Sequence, residues 1–363
     1  MGPEKKDVRR AGAFTLVELV VGTVIATIVM LGAGFALVSV FRQAFAERAR
    51  IRLQREAHLA AYWLDLSIRT GSWAHISGDG SEKKLVIERF SDDSQRTFEK
   101  DGNSLVIDID GSTGTISNHL VASPTIEVYV DRVTYAFQIS DDGQTHDMAC
   151  SRRLMNAPYG GLWLFSEGNG DVTFDDSGHQ NHGSIHGATW VTGRSGHALS
   201  FNGTDDYLRI PENDDLRTGQ RIALGADIKL NSAPTAGERS TLFYLGDDGE
   251  ENFVHFYVAE DGKLGAAAGS AGTVRRRSTS TAVLETDEWH TFCIQLDGTG
   301  SEIEAWVYVD GDRVNYLHAH GPTIPSVNSG DGWLGGYAGF TGSGSPERGF
   351  LDGVLDEVKL ITD

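Results

Sequence analysis

The sequence predicts an α+β region, a long N-terminal helix plus a small antiparallel sheet, followed by an all-β sandwich. Three observations carry this. Phe14 to Phe41 reads FTLVELVVGTVIATIVMLGAGFALVSVF, an apolar run with one charge, Glu18. Farther on, KKLVIERF, QRTFEK, SLVIDID and TIEVYVDRVTYAFQIS alternate or run apolar between Gly, Asp and Ser clusters, as antiparallel strands do. From Gly161 onward short strands rich in aromatics recur between Gly and Asp turns, the rhythm of an all-β sandwich. At 363 residues the chain is too long for one ordinary domain plus an anchor. Its formal charge of -20 argues against nucleic acid as a partner and suits an exposed, soluble surface.

The first element is the apolar helix. Leu19 to Phe41 holds no charge over roughly 23 residues, which at ~1.5 Å each exceed a ~30 Å bilayer core. Glu18 at its front edge costs about 2.5 to 3.5 kcal/mol in hydrocarbon, and such residues usually mark a function. A secretory signal peptide would use Lys5, Lys6, Arg9 and Arg10 as its basic end and Ala44-Phe45-Ala46 as its cleavage site. The run is far longer than the roughly 7 to 15 residues of a signal core, and the helical pattern continues beyond it. A plain membrane anchor explains the length and leaves Glu18 without a role.

AGA followed by FTLVEL resembles the leader-peptidase site of type IV pilins and pseudopilins, the prepilin-type cleavage and methylation motif. There a short basic leader is cut before an aromatic residue, and the fifth mature residue is Glu; here these are Phe14 and Glu18. The family prefers Gly before the cut, whereas this chain has Ala13 there with Gly12 behind it. The resemblance implies a leader over residues 1–13, removed by a prepilin leader peptidase. It also implies a membrane and filament helix over 14–69 that packs against lipid and other pilin or pseudopilin subunits. Glu18 would meet the new N-terminal amine of an adjacent subunit, so that two costs of burial partly cancel. The implied location is a single pass through the inner (cytoplasmic) membrane with the globular part extracytoplasmic. Positive-inside counting does not decide this orientation, because Arg42, Arg48, Arg50, Arg52 and Arg55 crowd the far end as densely as the leader crowds the near one.

Beyond the membrane run, Phe41, Phe45, Ala49, Leu53, Ala57, Ala60, Leu64 and Ile68 recur at spacings of four and three, an amphipathic continuation of one helix. The stripe packs either on a head domain or on sister subunits. The strands above form that head over 70–149, with Asp101-Gly102 as a hairpin signal. A long helix followed by a small meander resembles the head arrangement of pilins, and the late VDRVTYAFQI loosely that of a minor pseudopilin. DIDGSTG lacks the further ligands of an EF-hand and reads as a polar turn. Residues 150–160 read as a linker, with Cys150 in a polar connection and Cys293 in a strand; an exported setting permits their pairing without requiring it.

The last part, 161–363, opens with LFSEGNGDVTFDDSGHQNHGSIHGATWVTGRSGHALSFNGTDDYLRIP and continues through WHTFCIQLDG, VYVDGDRV and LDGVLDEVKL. These stretches, in this order, resemble a laminin-G-like, concanavalin A-like jelly roll. That family consists mainly of binding modules, which implies a polysaccharide or glycan partner, and some members carry calcium. Trp163, Trp190, Trp289, Trp306 and Trp333 read first as packing residues and second as sugar platforms. Arg275 to Arg277 read first as a solvated strand or loop and second as a contact for an anionic polysaccharide.

No catalytic residues emerge. The Glu-x-Asp-x-x-Glu pattern of concanavalin-like hydrolases is missing, and the adjoining Asp356 and Glu357 on a strand should point to opposite faces. His179, His182 and His186 fall near one another without a Ser or Cys nucleophile. FDDSGHQNHG offers carboxylates and carbonyls in a glycine-bent loop, so Asp175, which aligns with the Asp of the family's Asp-x-Ser-Gly turn, is a candidate ligand of a structural Ca2+, with Asp356 closing the site. A turn held by Asp side chains explains the same residues. The expected protein is a non-enzymatic minor pilin or pseudopilin of a type IV pilus, a type II secretion-like system or an adhesion apparatus, displaying a lectin-like domain. The alternatives are a signal-anchored extracytoplasmic carbohydrate-binding or adhesion protein outside any filament, and a concanavalin-like glycoside hydrolase.

Overall fold

The computed structural model describes residues 15–79, 82–213, 216–246, 252–270, 273–320, 324–325, 327, 330–337 and 349–363. One helix, α1 (Leu16–Thr70), runs unbroken for 55 residues. From Leu16 to Phe45 its large apolar side chains stand exposed; from Ala49 onward Leu53, Ala57, Ala60, Leu64 and Ile68 are buried. The predicted stripe is therefore divided, with Phe41 and Phe45 in its bare half. The small side chains of Ala57 and Ala60 let the sheet approach the helix closely, and Leu53, Leu64 and Ile68 fill the space on either side.

The head contains two antiparallel sheets among the described residues. The first holds β1 (Trp73–Ser77), β2 (Lys84–Arg89), β3 (Ser94–Asp101), β4 (Ser104–Ile109) and β5 (Ser112–Ser117) in sequence order. Asp101 closes the β3–β4 hairpin, and Gly102 takes φ 57°, a left-handed conformation that costs Gly little. DIDGSTG forms the β4–β5 hairpin, a turn as expected. The second sheet is β6 (Thr125–Val128), β7 (Arg132–Asp141) and β8 (Gln144–Arg153). Residues 150–153 thus belong to a strand of the head, not to a linker. Cys150 is buried opposite Tyr135, because the alternation of β7 and β8 carries it inward, and both cysteines are free thiols.

The remaining strands are β9 (Tyr159–Trp163), β10 (Val172–Thr173), β11 (Gly183–His186), β12 (Thr189–Thr192), β13 (His197–Asn202), β14 (Tyr207–Ile210), β15 (Arg221–Leu230), β16 (Arg239–Gly246), β17 (Phe253–Ala259), β18 (Lys263–Ser270), β19 (Thr273–Ser278), β20 (Trp289–Asp297), β21 (Glu302–Val309), β22 (Asp312–His320), β23 (Gly332–Leu334) and β24 (Asp352–Thr362). They make a jelly-roll-like sandwich. One sheet runs β10-β11-β14-β23-β16-β17-β18-β19; the other runs β12-β13-β24-β15-β20-β21-β22, with β9 paired to β24. Phe201, Phe243, Phe256, Phe292, Leu355 and Leu360 sit between them, all nearly inaccessible.

The second sheet's outer face does not meet solvent along its whole width. Its Ala223, Cys293, Trp306, Tyr308 and Ile361 join the same core as the head's Trp73, Ile76, Val128 and Val130. Gln295 donates to the Ala74 carbonyl (3.0 Å), Ile76 N–H donates to the Tyr308 hydroxyl (2.9 Å), and Arg313 donates to the carbonyls of Ile76 and Gly78. Val130 packs flat on Gly225, where a Cβ would lie 2.7 Å from it. Arg221 ties the seam from the sandwich side, pairing with Glu88 of the head (3.0 Å) and with Asp297 (2.8 Å).

His75 lies inside this seam, its ring 4.4 Å from that of Trp306. Burial pushes its imidazole down to about 4; Asp297 opposes this, and Arg221 and Arg313 add to it. The folded state thus holds His75 neutral while the unfolded chain protonates it near 6.5. Stability from this group is full above that value and is lost as pH falls toward 4. Replacing His75 with Phe keeps a ring against Trp306 and removes the proton, so Tm should fall less between pH 6.5 and pH 4 in the variant than in the parent protein. Parallel Tm–pH curves for the two proteins would contradict this assignment.

Candidate functional site

At the helix start, Thr15 and Glu18 close a reciprocal cap. Glu18 N–H donates to Thr15 Oγ1 (3.2 Å), while the backbone N–H and the hydroxyl of Thr15 donate to Glu18 Oε2 (2.9 and 3.0 Å). Glu18 therefore satisfies donors that a helix N-terminus leaves unpaired. The signal was present in the sequence as Thr-x-x-Glu ahead of an apolar run. Gly12, Ala13 and Phe14 lie outside the described residues.

Asp175 and Asp356, expected to share a cation, serve separate loops. Asp175 Oδ1 accepts from the backbone N–H groups of Leu162 and Ser177 (both 2.8 Å), and its Oδ2 accepts from Ser177 Oγ (2.7 Å) and Asn181 N–H (3.0 Å). Asn181 in turn donates to the Gly160 carbonyl and accepts from the Trp163 indole. The FDDSGHQNHG loop is thus a staple that fixes β9 and the buried Trp163. Asp356 is fully buried, and burial pushes its carboxyl up. Its oxygens accept from Ser195 N–H and Glu357 N–H, both at 2.9 Å, which holds the turn between β12 and β13. The four bonds to Asp175 and the two to Asp356 give both side chains structural tasks in their own loops, and a calcium ion at either would have to use the lone pairs that remain. Among the described residues no group of three or more His, Cys, Asp or Glu is placed to hold a metal.

The strand argument about Asp356 and Glu357 needs correction. A bulge lies where β15 meets β24: Gly225 pairs with Lys359 but Asp227 pairs with Asp356, and Glu357 takes φ 46°. The extra residue breaks the alternation. Leu355 and Val358 face the core, while Glu357 lines the same outer cleft as Asp227. The three histidines do not converge either: His182 Nδ1 accepts from Asp175 N–H (3.0 Å), and His186 stacks on Tyr207. Arg275 to Arg277 lie on β19 at the end of its sheet.

The outer face of the other sheet carries a row of rings. His186 stacks on Tyr207 at 4.6 Å, Tyr207 meets Trp333 at 5.3 Å, and Trp333 meets Tyr337 at 5.4 Å, edge to face. Tyr337 leads to Tyr244 at 4.3 Å. Period-two alternation puts these side chains on one face, opposite Phe243 and Leu245. At the buried end a Cβ on Gly265 or Gly269 would strike the rings of Tyr257 or Phe253 at 2.5 and 2.2 Å, so these two glycines give the rings their beds. At the other end His186 is exposed and Tyr207 and Trp333 half-buried. Of the five tryptophans named from the sequence, Trp163 and Trp306 are core, Trp190 packs beside it, Trp289 is half-buried at the start of β20, and Trp333 joins this row.

Residues 202–363 match the Laminin_G_3 family, described as the concanavalin A-like lectin/glucanases superfamily. The match covers the sandwich from the end of β13 onward. Similar solved structures include a heptameric SAP-like pentraxin from Limulus polyphemus (17% identity, 45% of this chain and 74% of that one, TM-score 0.33). Others are domains LG4-5 of the mouse laminin alpha1 chain (16%, 49% and 45%, TM-score 0.36) and the carbohydrate binding module CBM66 from Bacillus subtilis (14%, 50% and 95%, TM-score 0.29). The chain spans less than half the length of the laminin chain. A search of curated proteins found no match.

Removing the Asp175 side chain strands at least three backbone donors. Asp175→Ala should lower unfolding free energy by about 3 kcal/mol, read by denaturant titration. Tm of the parent protein should be equal in excess calcium and in chelator; a calcium-dependent rise would overturn the staple reading, since a ligand of the native state must raise stability.

Proposed function

We propose that this chain is a membrane-inserted, leader-peptidase-processed minor pilin or pseudopilin that displays a lectin-like, glycan-binding sandwich without enzymatic activity. The observation that carries the reading is the undivided helix: its first half is long and apolar enough to cross a membrane and stands bare, and its second half is the core of the head. Bare apolar surface of this extent needs lipid or sister helices. The prepilin leader peptidase and other pilin subunits are the partners this reading requires. A sandwich of this size on every subunit would crowd a filament, which favours a minor one. The half-open ring row offers flat faces for sugar rings.

The second reading, a plain anchor for an extracytoplasmic binding protein, draws on the Thr15–Glu18 cap, which gives Glu18 a task without any filament. Two variants separate the readings. Gln also completes a capping box, so Glu18→Gln keeps the cap and loses the charge, whereas Glu18→Val loses both. The pilin reading expects a mature chain starting at Phe14, with both variants inserted in the membrane and both excluded from the filament fraction. Normal incorporation of Glu18→Gln, or a mature chain starting at Glu47, would refute it. A polysaccharide panel should show binding with no release of reducing ends; release abolished by replacing Asp356 or Glu357 would establish a hydrolase instead.

A further inference from the structure

A polar cleft of about 560 Å3 opens on the seam between head and sandwich. The head contributes the β6–β7 turn, with Tyr129, Asp131 and Arg132, and the end of β8 with Arg153. The sandwich contributes Arg194, Asp227, Thr291, Asp310, Glu357 and Lys359, drawn from five separate stretches of chain. The charge balance differs from that of the molecule: four cations stand against four carboxylates on a protein of net charge -20.

Its groups divide into a fixed floor and a loosely engaged rim. On the floor, Arg194 donates to Asp227 Oδ1 (3.0 Å) and to Thr291 Oγ1 (2.7 Å), and Thr291 also donates to Asp227. Asp310 accepts from Thr291 N–H and pairs with His290, both at 2.9 Å. On the rim, Arg153 stands 3.6 Å from Asp131, and Lys359 stands 3.6 Å from Asp131 and 3.4 Å from Glu357. The Arg132 guanidinium lies over the Tyr129 ring at 4.3 Å and makes no ion pair with a described residue. Arg132 and Arg153 therefore face the cleft with most of their N–H donors uncommitted, and Lys359, largely buried between Asp131 and Glu357, backs them, beside carboxylates that retain acceptor capacity.

We propose that this cleft is a binding site for a saccharide bearing an anionic group, with Arg132, Arg153 and Lys359 holding the anion and Asp227, Asp310 and Glu357 accepting from hydroxyls. A free anion would use the cations and leave the remaining lone pairs of Asp227, Asp310 and Glu357 without a hydroxyl to accept from; a neutral sugar would use those lone pairs and leave the remaining N–H donors of the cations without an anion. A polyhydroxylated ring with a carboxylate or sulfate satisfies both sets. Charge-assisted hydrogen bonds from Arg and Lys then supply most of the discrimination. The left-handed Glu357 at the bulge is what brings a carboxylate to this side of β24. The site is distinct from the ring row, which lies on the other sheet, and does not depend on it.

The test uses the full chain in a polyoxyethylene detergent, which contains no sugar, at about 0.15 M ionic strength so that distant charges are screened. Trigalacturonate, neutral galactotriose and inorganic sulfate are titrated by calorimetry against the parent protein, Arg132→Gln/Arg153→Gln, Lys359→Met and Trp333→Ala. Trigalacturonate should bind at least about tenfold more tightly than galactotriose, lose about tenfold or more in either cleft variant, and be unaffected by Trp333→Ala. Equal affinity for the neutral trisaccharide, full competition by sulfate, parent-like binding in both cleft variants, or loss on Trp333→Ala would each overturn the assignment. Arg132 and Arg153 are exposed side chains, so unchanged Tm in their double variant separates lost binding from lost folding.

Discussion

The open edge of β1 is the constraint on which the arrangement depends. β1 ends its sheet, so one row of its backbone groups finds no strand partner, and such an edge invites pairing with another chain. Here Tyr308, Gln295 and Arg313 of the sandwich engage Ile76, Ala74 and Gly78 instead, with side chains standing in for a strand. Apolar packing surrounds these bonds, so the water that would weaken them is excluded. Head and sandwich are consequently joined as one folded body. Either part alone would expose Trp306, Tyr308 and Ile361, or Trp73 and Ile76.

The seam also decides what each face of the sandwich is free to do. The sheet containing β15, β20 and β24 spends its outer face on the head, and its cleft sits at the margin of that contact. The sheet containing β16, β17 and β23 turns its outer face away from the head, and the ring row lies there. A sandwich has two outer faces, and in this chain one packs on the head while the other leaves only the His186, Tyr207 and Trp333 end of its ring row open.

Much of the fold was legible in the sequence because it rests on local or periodic signals. The helix followed from hydropathy and from spacings of three and four; the β3–β4 turn followed from Asp101-Gly102; the jelly roll followed from separated stretches in a fixed order. Features that depend on distant residues were not legible. DMACSRRL is polar and reads as a connection, yet the strand carries Cys150 inward; Arg152 shares its face by alternation but is long enough to reach out to Asp65 of the helix. The bulge beside Asp227 escaped notice because one additional residue in β24 reverses every facing rule without changing composition. The seam, its His75 and its cleft join positions from about a hundred to more than two hundred residues apart, and no periodicity reports such a meeting. The Thr15–Glu18 cap is legible as Thr-x-x-Glu ahead of an apolar run, because both partners lie within one helical turn.

The unbroken helix has a mechanical consequence. At about 1.5 Å per residue its 55 residues make a strut of roughly 80 Å, bare and apolar at one end and clamped at the other against β5, β7 and β8. A pull on the sandwich passes through the β1 seam to the head and along this strut, with no slack segment among the described residues of 15–79 to absorb it. Displacement at one end therefore becomes rotation or translation at the other, so the molecule is built as a lever rather than as a tethered float.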